Sequence, residues 1–348
     1  MAIDPMHERG SLFARMRVDT RPLRHRDFRN LWLGQMISTL GGAIGTVAVP
    51  YQVYTLTGST ALVGLLGLAS LVPLLVVPLV GGAIADALDR RTVVLWTELG
   101  MAAITGLFLV NALLAHPQVW ALFALQAVAV AVFSLGRPAM SSLAPRLVPD
   151  DEIAAASALF SVYNSLGAVA GPAIGGIIIA AAGVPWTYGV DTSTYAASLL
   201  VIWLLPKLPP IVEADRPSLR SIVDGFRFLK GRQALIGIFL VDTNAMVFGM
   251  PSALFPAIAL HRLGGNAATV GYLYAAPYAG ALVCSLLSGW VSHARRQGLG
   301  VTVMACAWGL DAGTARVPSL RRPGAYPGGS FVDWVRWMSV RQGHRACP

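Results

Sequence analysis

With 348 residues, 55% hydrophobic and only 12% charged, and a mean hydropathy of +0.62, the chain is too apolar for a soluble domain and reads as an integral membrane protein. Its formal net charge of +9 sits in short loops between apolar runs, where orientation in a bilayer accounts for it and nucleic-acid binding is not expected. Cys284, Cys306 and Cys347 have no paired spacing, so neither a disulfide framework nor a cysteine metal site follows.

Residues 1–30 form a basic arm bearing Arg15, Arg17, Arg21, Arg24, Arg26 and Arg29, with no apolar core of the kind a cleavable leader needs. A spanning helix takes about 20 mostly apolar residues. Eight stretches meet that rule: 31–56, 61–85, 93–114, 119–135, 156–182, 186–205, 234–260 and 267–291. A ninth starts near Leu299 and stops short.

The connections at 57–60, 115–118 and 183–185 hold no Lys or Arg, whereas those around Arg90, Arg146, 207–232 and Arg295 hold nearly all of them. The expected arrangement is a multi-pass protein of the cytoplasmic membrane with its N-terminus inside. The linker 206–233 starts with Pro206, Pro209, Pro210 and Pro217. It continues with Leu219, Ile222, Val223, Phe226 and Leu229 at helical spacing among basic residues, as in an amphipathic helix lying on the inner face.

Between the second and third spans, Gly82, Asp86, Arg90 and Arg91 follow the loop signature of the major facilitator superfamily, although Ala87 and Asp89 depart from it. The chain resembles that superfamily from Arg21 to about Trp308. A weaker second copy, Gly289 with His293, Arg295 and Arg296, follows the eighth span.

The fifth span carries Gly167, Gly171, Pro172, Gly175 and Gly176, a string that resembles the fifth-helix signature of members exporting by antiport. The stretches 51–59, 137–149 and 248–256 resemble the branch that includes the enterobactin exporter and related multidrug-efflux proteins. This resemblance implies an all-α membrane fold with a complete six-helix N-terminal bundle over 31–205 and an incomplete C-terminal bundle over 234–310. The tail 311–348, rich in Arg, Pro and Gly, is expected to be out of frame; the alternative is a natural basic tail.

The resemblance further implies secondary active export of a small amphipathic compound, a drug or siderophore, by alternating access with protons as coupling ion. In the family the loop aspartate, here Asp86, contacts the N-terminal end of an eleventh helix. The alternative reading is a truncated, non-transporting remnant.

Acids inside spans are costly and so are proton-site candidates. Asp242, beside Thr243 and Asn244, is the foremost; Asp191 is either that or a wetted helix-start residue. Glu98 is either that or an acid that reaches interfacial water or pairs with Arg137. Gln35, Gln52, Gln126, Tyr163, Asn164, Tyr272 and Tyr274 are candidates to line a substrate cavity. With no phosphate loop, no triad context and no histidines at metal spacing, neither an enzyme nor a cofactor is expected.

Overall fold

The computed structural model describes residues 19–87, 89–204, 236–237 and 252–287. Helices α1 (Arg26–Thr57), α2 (Thr60–Ala87), α3 (Arg90–Leu113), α4 (Val119–Leu143), α5 (Ile153–Ala182) and α6 (Val184–Trp203) follow one another through short connections. After Ser252–Leu254, a single α turn Phe255–Ala257 and a π turn Ile258–Arg262, helix α7 runs over Ala267–Leu287. All seven belong to one compact unit.

Their ends follow local chemistry. Gly58 closes α1 in the left-handed region, φ 66°, with its N–H on the Tyr54 carbonyl, a conformation that glycine adopts without a Cβ clash. The Asp89 side chain caps α3 by accepting from the Thr92 N–H at 3.2 Å. Asn111 closes the α3–α4 turn, its Oδ1 accepting from the Gln118 N–H at 2.9 Å.

Five of the helical stretches are long and apolar enough to cross a membrane: Arg26–Thr57, Thr60–Pro78, Arg90–Leu113, Val119–Met140 and Asp150–Ala182. The sixth expected span is there as α6, but Thr187, Asp191, Thr192, Ser193, Thr194 and Ser198 make it the polar member of the set. Inside a bundle such groups need protein partners, and α6 is packed along α1 and α3. The fourth span extends well past its expected end at residue 135. Pro138 lies inside α4 rather than stopping it, because a proline-freed carbonyl in a membrane helix can be satisfied locally.

Two apolar clusters hold the bundle. Phe28, Leu31, Val93, Val94, Leu143, Leu159 and Ile202 pack at one end. Val47, Val53, Ile104, Phe108, Leu122, Tyr188 and Val270 pack at the other. On α1, α3 and α6 alike, the residues between the clusters are polar: Gln35 and Ser38, Thr97 and Glu98, and Asp191 and Ser198, all buried.

The outside is apolar. Leu68, Val72 and Leu75 on α2 and Leu107, Val110 and Leu113 on α3 are exposed, as lipid contact requires. Trp120 and Trp186, at the starts of α4 and α6, are 72% and 67% exposed and suit an interfacial belt. At the opposite end the 3₁₀ turn Arg21–Arg24 precedes α1. There His25 Nε2 lies 3.2 Å from Glu152 Oε2, tying the entry of α1 to the entry of α5.

Candidate functional site

α5 is used on two edges. On the first it lies against α1, where a Cβ added at Gly171 would overlap Ala43, and one at Gly175 would come within 2.4 Å of the Ile44 carbonyl oxygen. On the second it lies against α7. A Cβ at Gly176 would stand 2.6 Å from the Ala267 carbonyl oxygen and 2.8 Å from Gly271 Cα. The reciprocal Cβ at Gly271 would meet the Pro172 carbonyl oxygen at 2.4 Å. The glycine–proline string thus forms two backbone-to-backbone contacts, one with each neighbour, of the kind small residues permit in lipid.

The gating-loop residues divide. Gly82 and Asp86 lie in the last turns of α2, and the Asp86 side chain is outside the described ones. Arg90 is buried at the start of α3, and Arg91 donates to the carbonyls of Ile202 and Trp203 at the C-terminus of α6. A cation on the last carbonyls of a helix satisfies orphan acceptors and complements the helix dipole.

The acids also divide. Asp242 lies outside the described residues. Glu98 is 8% exposed, with Gln35 Nε2 donating to its Oε1 at 2.9 Å and Ser38 Oγ at 3.5 Å from the same oxygen. It is therefore neither interfacial nor paired with Arg137, whose guanidinium sits 5.7 Å from the Phe133 ring centroid. The reason is depth: two turns into α3, the side chain is already enclosed by α1 and α6. Asp191 is not wetted either. It is 5% exposed and its Oδ2 occupies the space over Gly45, 2.5 Å from where a Cβ would be.

Of the seven cavity candidates the structure brings two together. Gln126 and Tyr274 line a cleft of about 330 Å³ with Thr46, Ser70, Ser252 and apolar residues of α1 and α2. Tyr274 donates from its hydroxyl to the Ser252 carbonyl at 3.0 Å. Gln35 is engaged with Glu98, and Gln52 accepts from the buried Tyr188 hydroxyl at 2.8 Å. Tyr163 packs edge-on against Trp32 and Phe160, while Asn164 and Tyr272 are exposed elsewhere.

Sequence reading passed over Tyr195, Ser198 and the α1 glycines that seat α6. A signal was present: Gly34, Gly41 and Gly45 stripe α1, and Thr187, Asp191, Tyr195 and Ser198 stripe α6.

The described helices form a bundle in which glycines let neighbours approach closely and acids are kept inside. Solved structures agree at the level of fold. The nucleoside transporter NupG matches with TM-score 0.61 at 13% identity over 85% of this chain and 84% of its own. A POT family transporter in complex with a thioalcohol-conjugated peptide matches with TM-score 0.56 at 12% identity over 86% and 85%.

The chain belongs to the transmembrane secretion effector family of the major facilitator superfamily, whose profile matches residues 19–307. It is 35% identical over 277 residues to the enterobactin exporter EntS of Shigella boydii strain Sb227 and to that of Escherichia coli strain HS. Those alignments cover 79% of this chain and 66% of the relatives' length.

Proposed function

We propose that the chain is part of a secondary active exporter that moves a small amphipathic compound, a drug or a siderophore, out across the cytoplasmic membrane in exchange for protons. The observation that carries this reading is the double glycine edge of α5. It brings α5 into close backbone approach with α1 at Gly171 and Gly175 and with α7 at Gly176, the small-residue packing on which helices of a membrane bundle meet. The likeness to enterobactin exporters supports a siderophore-sized cargo. The cleft at Gln126 and Tyr274, with hydroxyl and amide groups among apolar walls, suits a compound that is polar at one end and apolar at the other.

Proton exchange is the coupling that buried carboxyls serve best, and Glu98 and Asp191 join Asp242 as its carriers. The N-terminus and the 206–233 linker are assigned to the cytoplasm, and residues 31–205 and 234–310 to the two transmembrane bundles. The test is ethidium efflux from cells making the full chain. Export predicts efflux that collapses when a protonophore dissipates the gradient; efflux indifferent to the protonophore, or none above cells lacking the chain, would refute it.

A further inference from the structure

Thr187, Asp191, Tyr195 and Ser198 follow at intervals of four, four and three residues on α6 and are all buried, so they form one stripe along the helix. Over eleven residues at about 1.5 Å each the stripe runs some 16 Å, about half the hydrocarbon thickness. Glu98 of α3 closes it at the Ser198 end, where its Oε2 has no protein partner. Thr187 Oγ1, Asp191 Oδ1 and Ser198 Oγ are likewise without a protein partner among the described residues. Tyr195 stands between the two acids, within electrostatic reach of both, and its hydroxyl fills the space over Gly42, 2.8 Å from where a Cβ would be.

Among the described residues, every group facing the two carboxyls is neutral. α1 presents Gln35 and Ser38 to Glu98 and bare Gly45 to Asp191. α5 brings Tyr163 towards Glu98, and α6 brings Tyr188 towards Asp191. Arg137 of α4 is turned to Phe133, and among the described residues no basic side chain comes within ion-pair distance of either acid. Packing alone does not call for two acids and two hydroxyls in register with unmatched atoms, since buried polar groups are nearly always satisfied. Groups of this kind hold water and hand protons along.

We propose that Glu98, Ser198, Tyr195 and Asp191, with water bridging the gaps, form a proton relay through the first bundle. The inference rests on the proton-coupled reading above and names the route. In one transfer the Glu98 O–H bond breaks, each intervening hydroxyl or water accepts one proton and releases another, and the Asp191 carboxylate forms the final O–H bond. Glu98 ends as the carboxylate and Asp191 as the neutral acid; nothing else is consumed, and the reverse transfer restores the start. Tyr195 and Ser198 are the conducting members, and Gly42 and Gly45 leave room on α1 for Tyr195 and Asp191.

The test uses the full chain, purified and reconstituted in phosphatidylcholine vesicles, with carboxyl bands followed by infrared spectroscopy through a pH titration and after transfer to deuterium oxide. The relay predicts one band lost in Glu98→Gln and another in Asp191→Asn, with the Glu98 midpoint shifted in Asp191→Asn because the sites titrate as a pair. Tyr195→Phe leaves that equilibrium shift in place and slows deuteration of Glu98 by about tenfold or more. Ser198→Ala, which removes a small buried hydroxyl beside Glu98, slows it similarly.

A Glu98 band that deuterates at the same rate with and without Tyr195 would overturn the relay. Ethidium efflux from the same vesicles separates the two ideas. Coupled carboxyls without efflux would overturn the exporter reading, and efflux with uncoupled carboxyls would overturn the relay alone.

Discussion

The two faces of α1 are built from the same kind of residue to opposite ends. Towards α5 the glycines belong to the partner, Gly167, Gly171 and Gly175, and what fills their space is α1 itself at Thr39, Ala43 and Ile44. Towards α6 the glycines belong to α1, Gly41, Gly42 and Gly45, and what fills their space is the polar side of α6: Thr194, Tyr195 and Asp191. The first contact is steric, glycine against the α1 main chain and the short side chains of Thr39 and Ala43. The second is a row of sockets, each missing Cβ making room for a hydroxyl or carboxylate that has no place in hydrocarbon. Small residues in a membrane helix therefore say that something comes close, without saying whether it is a main chain or a charge.

The largest effect expected of any change is at the steric face. Gly176→Val puts a branched side chain where even a Cβ has 2.6 Å to a carbonyl oxygen, and backbone cannot yield as a flexible side chain can. Ethidium efflux should fall to background while the protein still accumulates in the membrane. Normal efflux would break the idea that α5 and α7 need this contact.

Next comes the socket at Gly45. Gly45→Ala pushes on the Asp191 carboxylate rather than on backbone, so efflux should persist at reduced rate with altered response to the imposed pH gradient. The same response in Gly45→Ala and Gly176→Val would erase the contrast between the faces. Asp191→Asn on top of Gly45→Ala should add little, because both act on one carboxyl; the double mutant's efflux checks this.

A smaller change sharpens the polar face without touching acid. Tyr188 donates to Gln52 and stacks on Phe108 with ring centroids 5.3 Å apart. Tyr188→Phe keeps the stack and strands the Gln52 carbonyl, a loss of about 1–3 kcal/mol, to be read as a lower melting temperature in detergent.

The smallest effect lies outside the membrane. The Arg21 side chain donates to Asp19 at 2.8 Å, and that bond, with the Arg21 backbone N–H, holds the Asp19 carboxyl below its usual range. A lowered carboxyl contributes its stability above the ordinary aspartate value of about 4 and loses it as pH falls through the lowered one. Because the pair is fully solvated, Asp19→Asn should leave the melting temperature almost unchanged at neutral pH and slightly flatten its decline in acid.

Much of this was legible in the chain. The apolar runs, their lengths and the charged hairpin at 86–91 depend only on what a bilayer excludes, so the six helices α1 to α6 and the later helix at 267 appear close to where composition puts them. The glycine–proline string marked α5 as a close-packing helix because Gly and Pro have few other uses mid-membrane. Other features were illegible for a physical reason. Nothing local distinguishes an acid two turns inside a helix that reaches water from one enclosed by its neighbours, so Glu98 and Asp191 read as borderline when both are buried. Gln35 and Gln52 read as possible cavity residues, because which side a glutamine faces depends on partners more than sixty positions away.

The sequence by itself determined that this is a helical membrane protein, where its helices lie, and to which family it belongs, since hydropathy and motif are carried by neighbouring residues. Only the tertiary structure decided which edge of α5 meets which helix, which glycine seats a carboxylate, and that the acids of α3 and α6 belong to one buried polar stripe. Burial and partnership are properties of pairs of helices, and no single stretch of chain contains them.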